Sequence, residues 1–72
     1  MNARERLLVD TTKNIAHAAD MILFDAKELR RLANGVDGIA LRFGVEQRVQ
    51  ALRKTIDVLA DQLAALKILE KT

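Results

Sequence analysis

Apolar residues recur along this chain at intervals of three and four, and nowhere with the period of two that a half-buried strand requires. The clearest run is Val45, Val49, Leu52, Ile56, Leu59, Leu63 and Leu66, spaced 4, 3, 4, 3, 4, 3 without a miss. That spacing is the seam of a coiled coil, in which the a and d positions of each heptad face a neighbouring helix. A thinner seam lies upstream, where Leu8, Ile15, Ile22 and Leu29 recur every seven residues with Thr11, Ala18, Asp25 and Leu32 between them. Two helices are therefore predicted, over about residues 3–33 and 39–70, joined by a turn over about 34–38.

The ends of these helices carry their own signals. Asn2-Ala3-Arg4-Glu5 places an N-cap side chain three residues ahead of a glutamate that can reach back to free amides, and Asn34-Gly35 closes the first helix. Asp37 can cap a second helix beginning at Gly38, whereas Gly44 can equally mark a break after a short turn holding Ile39, Leu41 and Phe43. One helix, weakened at Gly44, is the expectation.

Antiparallel helices joined by a short loop pair residues whose numbers sum to a constant. A constant of 74 sets Leu29 against Val45, Ile22 against Leu52, Ile15 against Leu59 and Leu8 against Leu66, and it centres the turn on Asp37, where the glycines lie. The small Ala18 and Thr11 then fall opposite Ile56 and Leu63. Asp25 does not fit an apolar seam. Near Val49 it is expected at the seam edge, solvated or bridged by Arg48 or Arg53, the alternative being a buried polar group that fixes register.

A hairpin buries one seam, and this one has apolar residues left over. Met21 to Phe24 is apolar around a whole turn, and Val58, Ala64, Ala65, Ile68 and Leu69 are surplus in the second helix. Met21, Phe24, Val58, Ile68 and Leu69 are accordingly expected to form an apolar interface, with a second copy or with another protein. The expected fold class is all-α: an antiparallel, coiled-coil-like two-helix hairpin, itself expected to dimerise into a four-helix bundle.

Composition narrows the chemistry. Of 72 residues half are hydrophobic, none is Cys, Pro, Trp or Tyr, and His17 is the single histidine. Disulfides and thiolate metal sites are excluded, and no metal or other cofactor is expected. Phosphate loops, HExxH and CxxC are missing, so no enzyme is expected. Asp57 and Asp61 share a helix face at i,i+4, which reads as solvated acid, and His17 reads as a surface histidine. No uncharged apolar run is longer than Met21 to Phe24, and acids stand where a leader would be apolar, so a soluble, cytoplasmic chain without membrane contact is expected.

The net charge of +2 is unevenly spread: residues 27–54 hold seven basic side chains against three acids. In a hairpin Arg30, Arg31, Arg42 and Arg48 would gather near the turn with Phe43, a charged tip suited to an acidic protein surface or, less well, to nucleic-acid phosphates. The lack of Tyr and Trp disfavours single-strand stacking.

In architecture alone the chain resembles the Rop-type RNA-binding hairpin dimers of plasmids, the short helical-hairpin chaperones of type III secretion and small phage-encoded inhibitors. The resulting expectation is a non-enzymatic interaction protein that binds and modulates another protein as adaptor, inhibitor or chaperone, of the phage or secretion accessory type. The alternative is a Rop-like RNA- or DNA-binding dimer that uses the basic tip.

Overall fold

Residues 1–71, which the computed structural model describes, form two α-helices, α1 (Ala3–Gly35) and α2 (Gly38–Lys71), packed against each other as a hairpin. Thr72 lies outside the described residues. The Cα trace measures 53 × 16 × 12 Å, a rod two helices wide and one helix deep.

Each helix starts where a side chain satisfies its open amides. Asn2 Oδ1 accepts from the Glu5 amide at 2.8 Å, and Glu5 returns its carboxylate to Asn2 Nδ2 at 3.1 Å, closing on the cap's side chain rather than its backbone. Asp37 Oδ1 accepts from the Ala40 amide at 2.9 Å and so begins α2 at Gly38. The connection is Val36 and Asp37 alone, with Val36 extended. Val36 and Leu41, both half-buried, stand at the N′ and N4 positions where a hydrophobic staple fixes the entry angle of a helix.

Helix α2 runs unbroken through Gly44. A Cβ at this position would lie 2.6 and 2.8 Å from the two Cδ atoms of Leu32, closer than packed carbons approach. The glycine therefore makes room for α1 and does not interrupt α2.

The register follows the loop. Asp25 is bonded to Arg48, Asn14 to Gln62, and Arg4 to the Leu69 carbonyl, each pair within two of the constant 74. Arg4 Nη2, at 3.2 Å from that carbonyl, ties the open end of the rod.

The rotation of α2 differs from the expected one. On α1 the buried line is Thr11, Ala18, Asp25 and Leu32, the heptad the spacing set out. On α2 the line of approach is Leu41, Arg48, Thr55, Gln62 and Leu69, with Thr55 and Leu69 buried and the others half-buried. Val45, Leu52, Leu59 and Leu66 are half-buried against α1 as expected, but Val49, Ile56 and Leu63 turn outward, 36%, 57% and 53% exposed. Thr11 and Ala18 consequently lie level with Gln62 and Thr55, not Leu63 and Ile56. The physical reason is at Asp25: it is 3% exposed, and turning α2 by one position replaces Val49 with the guanidinium of Arg48, 2.9 Å away. Small side chains along this line also let the backbones approach. The hydroxyls of Thr11 and Thr55 donate to the carbonyls of Leu7 and Ala51 one turn back, and no buried side-chain polar atom among the described residues lacks a partner.

Leu69, expected on the open apolar face, is instead 7% exposed between the helices. Among the described residues no helix is long and apolar enough to cross a membrane.

Candidate interaction surface

A single layer of two helices has two broad faces, and the heptad positions sort the side chains between them. In an antiparallel pair, residues that follow the contact line by one or by four fall on one side for both helices. Those that precede it by one or follow it by three fall on the other. The lining of one groove bears this out: His17 and Met21 of α1 share it with Lys54 and Val58 of α2, over the buried Ala18 and Thr55.

The grooved face is mixed. Met21, Phe24, Val58 and Ile68 are exposed on it, interleaved with Asp10, Asn14, His17, Arg31, Lys54 and Asp61. The groove at Met21 and Val58 has a volume of about 110 Å³. Next to it a shallower depression is lined by Met21, Phe24, Asp25 and Arg48. The Arg48 guanidinium lies 5.9 Å from the Phe24 ring centroid, so Phe24 is held over the buried ion pair from the solvent side. Of the five residues expected to form the apolar interface, Met21, Phe24, Val58 and Ile68 thus share one face, while Leu69 is core.

The opposite face is apolar, and smooth except at the open end of the rod, where Arg4, Leu8, Leu66 and Glu70 line a shallow depression. From α2 it takes Val45, Leu52, Leu59 and Leu66 with Val49, Ile56 and Leu63 beside them. From α1 it takes Leu8, Ile15, Ile22 and Leu29 with Thr12, Ala19, Ala26 and Ala33 beside them. Ionisable side chains at these positions occur only towards the ends, at Glu5, Arg42 and Glu70. Sequence periodicity found every apolar member from α2 on this face but directed them at α1. The signal for their outward direction was Asp25, whose need for a cation fixes the turn of α2.

The basic residues near the turn do not form one patch. Arg31 is paired with Glu28 at 3.0 Å, Arg42 with Glu46 at 3.1 Å, and Arg48 with Asp25, roughly 15 Å along α2 from its start at 1.5 Å per residue. By heptad position Arg31 and Arg48 belong to the grooved face and Arg42 to the end of the smooth one, with Arg30 and Phe43 pointing away from α2 and α1 respectively; Phe43 is exposed. The hydrogen bond from Arg31 holds the Glu28 carboxyl below its usual range against an opposing desolvation, with lesser help from the charges of Arg31 and Arg48, and it raises the Arg31 guanidinium in turn. Among the described residues no three His, Cys, Asp or Glu side chains are grouped to hold a metal, and Asp57 and Asp61 stand without a third donor.

Comparison with known proteins returns no match, whether to protein-family models, to curated sequences or to solved structures.

Proposed function

We propose that the chain is a non-enzymatic protein-interaction module: a cytoplasmic helical hairpin that pairs with a second copy as a four-helix bundle and binds and modulates another protein. The modulation is that of an adaptor, inhibitor or chaperone. The observation that supports this reading is the balance of apolar side chains. Among the described hydrophobic residues only Ala18, Leu32 and Leu69 are buried, while large ones stand exposed on both broad faces. Apolar surface in that proportion favours association over an independent monomer. The groove at Met21, Phe24 and Val58, with Lys54 and Asp20 along its edges, suits the apolar stripe of an amphipathic helix.

A nucleic-acid reading draws less support, because Arg31, Arg42 and Arg48 are each engaged by a carboxylate of the same chain. Binding a phosphate there exchanges one anion for another.

The test is capture of the tagged full chain's partners from its native cells, with and without nuclease, beside a Phe24→Asp variant. Protein retained after nuclease and lost with the variant is the expected result. Capture that vanishes on nuclease treatment, or that Phe24→Asp leaves unchanged, contradicts the reading.

A further inference from the structure

We infer that the smooth face is the one a second copy covers, through Val49, Ile56 and Leu63, leaving the grooved face with Met21, Phe24 and Val58 open to the other partner. The inference rests on the self-association proposed above and adds which face makes it. The first ground is the direction of the α2 seam. Its members alternate between half-buried residues at 45, 52, 59 and 66 and exposed ones at 49, 56 and 63, so the seam points neither at α1 nor at solvent but between them. A helix has such a seam when it has two neighbours, one on each flank, as at the corner of a four-helix bundle.

The second ground is volume. Where α2 presents Val49, Ile56 and Leu63, α1 presents Ala26, Ala19 and Thr12 at the same heights along the rod. A twofold axis then gives every layer two large and two small flanking side chains, the alternation that fills a bundle interior without overpacking. The third ground is charge and area. The face carries no ionisable group between its ends to select a partner of opposite charge. A rod of 53 × 16 Å offers roughly 800 Å² per copy, what each partner contributes to a stable interface of standard size.

The experiment compares the full chain with Ile56→Glu and Phe24→Glu, two substitutions at residues 57% and 58% exposed in the hairpin, by light scattering with helicity recorded alongside. The expected masses are twice the 8.0 kDa of the chain for the unchanged protein and for Phe24→Glu, and a single chain for Ile56→Glu. Should Ile56→Glu lose its helices, Ile56→Ala serves instead, with dimer dissociation made roughly tenfold easier while Phe24→Ala leaves it unchanged. A single-chain mass for the unchanged protein at about 50 µM, where even a micromolar dimer is assembled, overturns self-association together with this face. A dimer that Phe24→Glu breaks and Ile56→Glu leaves intact overturns the face alone.

Discussion

At Asp25 a carboxylate 3% exposed lies 2.9 Å from the guanidinium of Arg48, and burial makes either charge costly without the other. Arg48→Met should therefore cost about 3 kcal/mol in urea unfolding at fixed protein concentration, and Asp25→Leu combined with it should recover most of that loss. Equal losses in the single and double variants would show that the pair does not hold α2 in its rotation. Glu28 acts on a smaller scale. Its folded pKa lies below the ordinary value of about 4.5, so its contribution is complete above that value and lost as pH falls through the folded one. Because its pair with Arg31 is solvent-accessible, Glu28→Gln should flatten the acid side of a melting-temperature profile only slightly, and added salt should erase the difference. The misfit of Asp25 was legible in the sequence, and so was Arg48 as one of two cations able to answer it. Periodicity alone could not show that answering it turns α2, because a heptad specifies which residues share a face and not which neighbour the face meets.

The elements themselves were more legible than their packing. Both N-caps are read directly from side-chain chemistry, since Asn2 and Asp37 each stand three residues before the amide they satisfy. Replacing either with Ala should cost about 1 kcal/mol of stability. Glycine was ambiguous, because a helix breaker and a close approach look alike in a sequence. Gly44 and Gly35 separate the two roles experimentally. At Gly35 nothing lies within 4 Å of an added Cβ and the backbone is not left-handed, so Gly35→Ala should stabilise the hairpin by about 0.5–1 kcal/mol. At Gly44 the same substitution meets Leu32, so the gain should vanish or reverse, and return when Leu32→Ala makes room. Equal stabilisation at both positions in thermal unfolding would mean that α1 and α2 do not approach at Gly44.

For the whole molecule, the rotation of α2 decides what surface remains. It takes Leu69 into the core and turns Val49, Ile56 and Leu63 out beside the alanines of α1, which divides the rod into a grooved, mixed face and a smooth, apolar one. The sequence displayed the surplus of apolar residues plainly, and Met21, Phe24, Val58 and Ile68 do share a face. The smooth face escaped it because all of the α2 residues that build it belong to a seam already assigned to α1. The most direct measurement is an isotope-filtered NOE experiment on an equal mixture of ¹³C-labelled and unlabelled chains. Contacts between copies should run from the methyl groups of Val49, Ile56 and Leu63, with none from the Phe24 ring. Intermolecular contacts centred on Phe24 and Met21, or none at all, would contradict the assignment of the smooth face to a second copy.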